Sequence, residues 1–273
     1  SLAPSEMCIR DRGYVLSLSL GTYGCRVVQK AFERVEEKQK IQLGQELHPH
    51  VLDCVRDQNA NHVIQKILEQ VPSAHLEFIA AAFNGHVLTL ASHCYSCRVL
   101  QRIFAYCDEG QRRPLLNEMH QNTLSLMQDQ YGNYVIQWVL QHGDAADQHA
   151  IVVATKSHLL QMSRHKFASN VVEHVIEVAP PADLDDLLKE LLAPLSATDI
   201  EGLPLLVDGT MPLCVATVMM QDQYANYVLQ RFLQVLQGES RERLVQTIRP
   251  VLYALRQRQA ALAAPNPVSY THL

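Results

Sequence analysis

The sequence lacks the excess of lysine and arginine that a uniformly basic protein would have. Its 23 basic residues are outnumbered by 28 acidic ones, so the net charge is −5. A nucleic-acid binder that is basic over its whole surface is therefore excluded, although a local basic stripe is not. The charged fraction is 19% and the hydrophobic fraction 48%, a balance that predicts a globular chain and argues against disorder.

The chain also lacks the long hydrophobic runs that membranes require. No stretch approaches the ~18–20 apolar residues of a spanning helix. Residues 1–12 do not combine a charged start with an apolar run, as a secretory signal would. We therefore expect no membrane attachment and a cytoplasmic location. The seven cysteines are an odd number scattered through apolar segments, so we expect them to be reduced.

What the sequence does contain is one motif written several times. The stretch 129-DQYGNYVIQ-137 returns as 222-DQYANYVLQ-230 and, with small changes, as 57-DQNANHVIQ-65. The last motif position recurs at steps of 36, followed by a final step of 57, at Gln29, Gln65, Gln101, Gln137, Glu173 and Gln230. A fixed period of this size predicts a solenoid, in which each unit buries its apolar face against its neighbours.

Within each unit the pattern is that of α-helices. Apolar residues recur at offsets of one, three and four, which places them on one side of a helix. In three copies these are Val27, Val28, Ala31 and Phe32, then Val63, Ile64, Ile67 and Leu68, then Val135, Ile136, Val139 and Leu140. Asp57, Asp129 and Asp222 precede three of the motifs, where a carboxylate caps free N–H groups. No alternation typical of strands is sustained, so the sequence predicts an all-α repeat array.

The last step exceeds the others by 21 residues, and the surplus falls around residues 194–212. This segment contains three prolines and two glycines. Such residues interrupt helices and are typical of loops, so we expect an extended loop between the fifth and sixth repeats.

Each motif carries three polar or small residues in a fixed arrangement, which we call the trio. Its first and third positions are four residues apart and so share one face of a helix, and its second position flanks them. The six trios are Cys25, Arg26 and Gln29; Asn61, His62 and Gln65; Cys97, Arg98 and Gln101; Asn133, Tyr134 and Gln137; Ser169, Asn170 and Glu173; and Asn226, Tyr227 and Gln230. Amides donate and accept together, carboxylates accept twice, and flat side chains stack on unpaired bases. The trios therefore predict a reader of single-stranded nucleic acid.

The six copies resemble the repeats of the Pumilio (PUF) family of RNA-binding proteins. The resemblance is carried by 24-GCRVVQK-30, 60-ANHVIQK-66, 96-SCRVLQR-102, 132-GNYVIQW-138, 168-ASNVVEH-174 and 225-ANYVLQR-231. It implies a right-handed, curved α-solenoid of three-helix repeats, each of about 36 residues, with RNA on the concave face. It divides the chain into a non-family segment 1–12, a repeat domain 13–258 with six repeats and a partial C-terminal one, and a non-family tail 259–273. The family ordinarily has eight repeats.

The resemblance also implies a base for each trio, with the RNA running antiparallel to the protein. The trios that end at Gln230, Gln137 and Gln65 would take uracil, the trio that ends at Glu173 guanine, and those that end at Gln101 and Gln29 adenine. The predicted site is 5′-UGUAUA-3′. The family further implies repression of messages through their 3′ untranslated regions, with no cofactor and no catalytic residue. Repressor-complex proteins are expected near the 194–212 loop.

Other interpretations of these residues remain open at this point. A generic HEAT- or armadillo-like protein scaffold would show the same period, and a nucleolar relative would bind RNA with looser specificity. Cys25 and Cys97 are also explained by packing, and Tyr134 and Tyr227 by burial in the core. The pair Cys94-x-x-Cys97 invites a zinc site, but it lacks a second pair at the required spacing.

One further row of residues follows the trios directly, and we call it the basic row. The residue after the last motif position is basic in four copies, and we expect these side chains to neutralise RNA phosphates. They are Lys30, Lys66, Arg102 and Arg231. Trp138, the one tryptophan of the chain, interrupts the row.

Overall fold

The computed structural model describes residues 13–195 and 213–263, and within these ranges the regular structure is helical. The all-α prediction is confirmed. Each of the six repeats contributes a short first helix, an 11-residue motif helix that carries the trio, and a third helix. The chain divides into two compact units, the first ending at Ile151 and the second beginning at Val152.

The first helices and the motif helices of the first five repeats begin at steps of 36 residues. The first helices are Val15–Leu20, Val51–Arg56, Val87–Ala91, Thr123–Gln128, Leu159–Ser163 and Val215–Met219. The motif helices are Gly24–Arg34, Ala60–Gln70, Ser96–Tyr106, Gly132–His142, Ala168–Val178 and Ala225–Val235. The third helices are Glu37–Gln45, Glu77–Phe83, Glu109–Gln121, Ala145–Lys156, Pro181–Leu191 and Gly238–Ala263. Two 3₁₀ turns belong to the second repeat: His48–His50 precedes its first helix, and Ser73–His75 lies between its motif helix and its third helix.

The aspartates that precede three motif helices cap them as predicted. Asp129 Oδ1 accepts hydrogen bonds from the backbone N–H groups of Tyr131 (2.8 Å) and Gly132 (2.7 Å). Asp57 and Asp222 make the same pair of contacts in their own repeats. These bonds satisfy donors that have no partner inside the helix, and losing such a cap typically costs about 1 kcal/mol.

Two histidines cap motif helices in the same register, and sequence reasoning missed them. His93 Nδ1 accepts from the N–H groups of Tyr95 (3.3 Å) and Ser96 (3.5 Å). His165 Nδ1 does the same for the fifth motif helix. Both stand eight residues before the last motif position, as the capping aspartates do, so the register alone was the signal.

The apolar stripe of the motif helices forms the core. In the first unit the four motif helices pack in sequence order, and in the second unit Ala168–Val178 packs against Ala225–Val235. The stripes of the second and fourth repeats are buried as predicted, with exposures of 0–1% for Val63, Ile64, Ile67, Leu68, Val135, Ile136, Val139 and Leu140. Each fully buried side chain of this kind contributes about 1.5–3 kcal/mol relative to an exposed one.

Val27 departs from the predicted stripe of the first repeat. Val28 and Phe32 are buried, whereas Val27 is 42% exposed. The residue at the same place in the next repeat, Val63, is fully buried and lies on a helix that packs against the preceding motif helix. No motif helix precedes Val27 within the described ranges, so nothing there covers it.

Gly132 marks the close approach of a motif helix to its own first helix. A Cβ atom at this position would lie 2.8 Å from Leu126 Cδ2 and 2.9 Å from the Leu126 carbonyl oxygen. Ordinary side chains do not fit at such distances. The fourth motif helix and its first helix therefore approach more closely at this position than a side chain would allow.

The surplus segment before the sixth repeat lies mostly outside the described residues. Its two ends meet where the N–H group of Leu195 donates to the carbonyl of Leu213 (2.9 Å) and where Pro194 and Cys214 form an antiparallel bridge. Residues 196–212, which hold most of the predicted 194–212 loop, are not described.

Candidate nucleic-acid interface

The three positions of the trio differ in exposure, and they do so consistently along the repeats. The second position is exposed in every copy, at Arg26, His62, Arg98, Tyr134, Asn170 and Tyr227. The third position is half-buried at Gln29, Gln65, Gln101, Gln137 and Glu173 and exposed at Gln230. The first position is 5% exposed or less at Cys25, Asn61, Cys97, Asn133 and Ser169 and half-buried at Asn226.

The exposed second positions settle one open alternative. Tyr134 is 59% exposed and Tyr227 58%, so the interpretation of these tyrosines as core residues is wrong. They lie beside the amide pairs on the polar side of their helices. A large aromatic ring held in solvent next to hydrogen-bonding groups is available for stacking on a planar ligand.

The asparagine of the fourth trio is more buried than the sequence predicted. Asn133 is 2% exposed, and its amide bonds within the protein. Its Nδ2 donates to the carbonyl of Asp129 (2.8 Å), and its Oδ1 accepts from Gln137 Nε2 (2.9 Å). The two side chains therefore share one face, as their spacing required. The asparagine serves to hold the glutamine, and Gln137 keeps its Oε1 and one N–H for other partners.

This arrangement recurs wherever the trio begins with asparagine. Gln65 Nε2 donates to Asn61 Oδ1 and Gln230 Nε2 donates to Asn226 Oδ1, both at 3.0 Å. Asn61 and Asn226 in turn donate to the backbone carbonyl four residues earlier, at 2.8 and 2.9 Å. Three copies with one geometry indicate that the asparagine fixes which end of the glutamine amide points outward.

The trios that begin with cysteine lack this asparagine. Gln29 Nε2 donates to the backbone carbonyl of Cys25 (3.2 Å). Cys97 is 4% exposed, and its thiol contacts the carbonyl of Cys94 (3.7 Å). Burial raises the pKa of the Cys97 thiol, so it stays neutral. These copies present a smaller first side chain, and in the first of them the glutamine bonds to a backbone carbonyl and not to an asparagine.

The fifth trio carries a carboxylate at its third position. Ser169 Oγ donates to the carbonyl of Lys166 (3.4 Å). Glu173 is half-buried, and its Oε2 accepts from Arg231 Nη2 of the sixth motif helix at 3.3 Å. This contact crosses from one repeat to the next.

The basic row next to the trios is paired with carboxylates, which the sequence interpretation did not foresee. Lys66 lies 3.0 Å from Glu69 of its own repeat and 3.6 Å from Glu33 of the preceding one. Lys30 pairs with Glu33 (2.6 Å), and Arg102 with Glu69 (3.7 Å). The hydrogen bond from Lys30 lowers the pKa of Glu33, and the bond to Glu69 raises the pKa of Lys66. These three of the four cations of the row therefore lie against carboxylates in this structure.

A cavity of about 640 Å³ opens among the second, third and fourth trios of the first unit. Its lining includes Gln65, the Cys97–Arg98–Gln101 trio and Tyr134. The guanidinium plane of arginine and the ring of tyrosine both stack on flat groups, and the glutamines offer donors and acceptors. The cavity thus combines stacking surfaces with amide groups.

Trp138 also lines this cavity, and it packs within its own helix. Its ring stacks on that of His142, with centroids 4.6 Å apart and planes inclined by 19°. On another side it lies 6.1 Å from the ring of Phe104. It therefore replaces the ion pairs of the basic row by aromatic contacts.

The zinc interpretation of the Cys94 and Cys97 pair gains no support. Across residues 13–195 and 213–263, no three histidine, cysteine or acidic side chains cluster as metal ligands would. Within the same ranges, no helix has the length and hydrophobicity needed to cross a bilayer.

Comparison with known proteins matches the repeats one by one. The family model described as the Pumilio-family RNA binding repeat fits residues 14–48, 50–82, 86–120, 122–154, 158–192 and 218–249. No curated protein matches the chain.

Solved structures show the same fold. A structure of PUF-8 in complex with PBE-RNA is 29% identical with a TM-score of 0.82, over 93% of this chain and 70% of that one. The Puf3 RNA binding domain bound to the Cox17 RNA 3′ UTR recognition sequence site B is 36% identical with a TM-score of 0.81, over 93% of this chain and 72% of that one. The Puf4 RNA binding domain bound to HO endonuclease RNA is 25% identical with a TM-score of 0.77, over 91% and 74%.

Proposed function

Because six matched repeats account for most of its length, the chain belongs to the Pumilio family of RNA-binding repeat proteins, and we propose that it binds single-stranded mRNA one base per repeat. Repeats of this family read one base each with two or three side chains. The observation that carries the proposal is the exposure of the trio side chains: in the first five repeats the first is buried, the second is exposed and the third is half-buried.

The lining of the cavity in the first unit supports one way of holding a base. Arg98 and Tyr134 line it and offer stacking surfaces to a flat ring, and Gln101 lines it with an amide. Base–aromatic stacking is worth about 1–3 kcal/mol per base. Adenine presents an acceptor at N1 and a donor at N6, which one amide satisfies. We therefore assign adenine to the third trio.

The glutamines whose amides are held by an asparagine favour uracil. Gln137 donates one N–H to Asn133 and keeps Oε1 and its second N–H. Uracil presents a donor at N3 between two carbonyl acceptors, so the remaining acceptor and donor of Gln137 match N3–H and one carbonyl. We assign uracil to the trios that end at Gln65, Gln137 and Gln230.

Guanine is assigned to the fifth trio, because the carboxylate of Glu173 accepts from both N1–H and N2–H. With adenine also at the first trio, the proposed site is 5′-UGUAUA-3′, read from the sixth repeat to the first. We further propose that the protein acts in the cytoplasm as a repressor of messages through their 3′ untranslated regions, with partner proteins near residues 194–212. The similar Puf3 domain was solved on a 3′ UTR recognition sequence, which supports this role.

Fluorescence anisotropy with labelled 5′-UGUAUA and 5′-ACAAUA tests the proposal. We expect at least tenfold tighter binding of the first RNA, which corresponds to about 1.4 kcal/mol. Equal binding of the two RNAs would remove the one-base-per-repeat assignment.

A variant that exchanges one trio tests the assignment of a single base. Replacing Ser169→Asn together with Glu173→Gln creates the amide pair of the uracil repeats in place of the guanine reader. We expect the preference at the second base to move from guanine to uracil. Glu242→Gln, on an exposed part of the third helix of the sixth repeat, is the charge-matched control and should leave the preference unchanged. An unchanged preference in the double variant means that this repeat does not read guanine.

A further inference from the structure

Arg231 differs from the other cations of the basic row in the carboxylates that it contacts. Its Nη1 lies 2.9 Å from Glu177 Oε1 and 3.1 Å from Gln234 Oε1. Its Nη2 lies 3.3 Å from Glu173 Oε2. The guanidinium thus reaches from the sixth motif helix to two acidic residues of the fifth, and one of them is the third residue of a trio.

The cations of the first three repeats make only part of this pattern. Lys66 and Arg102 reach back to Glu33 and Glu69, which stand four residues after the last motif position, as Glu177 does. Among the ion pairs of the described residues, Arg231 alone contacts a trio side chain. The difference follows from the sequence, because only the fifth repeat has a carboxylate at the third position.

The contact restrains the side chain of Glu173 before RNA binds. A glutamate side chain has three rotatable bonds, and fixing such a side chain on binding costs about 0.5–1.5 kcal/mol. Glu173 and Arg231 are 23% and 33% exposed, so solvent screens the pair only in part. The guanidinium also offsets a negative charge that would otherwise repel the phosphates of an RNA strand.

We infer that Arg231 is a positioning residue for guanine recognition, which acts by holding the carboxylate of Glu173 from the neighbouring repeat. The inference rests on the proposed function, since it names the residue that supports one of the six base readers. It assigns Arg231 a role in specificity that the single-repeat trio does not include.

The test compares Arg231→Gln with wild type on 5′-UGUAUA and 5′-UAUAUA. Adenine presents an acceptor at N1, which a carboxylate cannot satisfy, so wild type should prefer the guanine RNA. We expect Arg231→Gln to reduce the ratio of the two dissociation constants by about 2- to 13-fold, the equivalent of the ordering cost above. Arg231→Lys, which keeps the charge but loses the planar fork, should retain an intermediate ratio.

The ratio is taken within one variant, so a misfolded fraction lowers both apparent affinities and cancels. Arg102→Gln removes a cation of the same row that contacts no trio residue, and its ratio at the second base should equal that of wild type. A wild-type ratio in Arg231→Gln, even with weaker binding overall, would overturn the inference while leaving the proposed function intact. Absence of a guanine preference in wild type itself would overturn the guanine assignment and the inference together.

Discussion

Replacing Asn133 by alanine removes the buried amide that holds Gln137. The variant loses the bond to the Asp129 carbonyl (2.8 Å) and the bond from Gln137 Nε2 (2.9 Å). In the variant, the Asp129 carbonyl keeps its bond from the backbone N–H of residue 133. The amide of Gln137 is half-exposed, so water solvates it. Each lost bond therefore costs about 0.5–1.5 kcal/mol, and we expect the free energy of unfolding to fall by about 1–3 kcal/mol.

The variant should also bind RNA more weakly, because Gln137 is no longer held in place. Without Asn133, the amide of Gln137 turns freely and must be ordered when uracil binds. That ordering costs about 0.5–1.5 kcal/mol, which is roughly a 2- to 13-fold change in affinity. The discrimination between 5′-UGUAUA and 5′-UGAAUA should fall by this factor, because the third base is the one assigned to this repeat. Anisotropy with both RNAs measures it, and chemical denaturation measures the stability separately.

Asn61→Ala is the matched control, since Asn61 makes the same two contacts in the second repeat. It should leave discrimination at the third base unchanged and weaken it at the fifth. The reasoning is refuted if Asn133→Ala discriminates at the third base as well as wild type does, or if Asn61→Ala changes that base instead.

Two further predictions concern stability. Asp147 is 4% exposed and accepts hydrogen bonds from Arg113 and His120, both at 2.8 Å, so Asp147→Ala should lower the free energy of unfolding by about 2–4 kcal/mol. Glu109→Ala, at the exposed edge of the same cluster, should have little effect. Equal losses of stability for the two variants in a denaturation experiment would contradict this prediction. Burial works to raise the pKa of Asp222, but hydrogen bonds from two backbone N–H groups and a guanidinium outweigh it and hold that pKa below its usual value. The stabilisation is therefore complete above pH ~5 and lost as the pH falls below ~4, and Asp222→Asn should flatten this part of the stability–pH profile.

The architecture could be predicted because its signals repeat along the chain. The step of 36 residues, the apolar stripe and the capping aspartates are local patterns, and the structure bears out the stripe at Ile64 and Ile67 and the cap at Asp129. The same register contains His93 and His165, which cap as well. Residue type alone does not identify those caps, because an imidazole accepts at Nδ1 in only one neutral tautomer, whereas an ionised carboxylate always accepts.

The sequence by itself determined the all-α repeat fold, the positions of the trios and the sharing of one helix face by Asn133 and Gln137. These depend on spacing along one helix. Only the tertiary structure decided that Asn133 is buried, that Val27 is exposed and that Arg231 reaches Glu173. Each of these depends on what the neighbouring segment covers or contacts. Arg231 and Glu173 are 58 residues apart, and only the packing of successive motif helices brings their side chains within hydrogen-bonding distance.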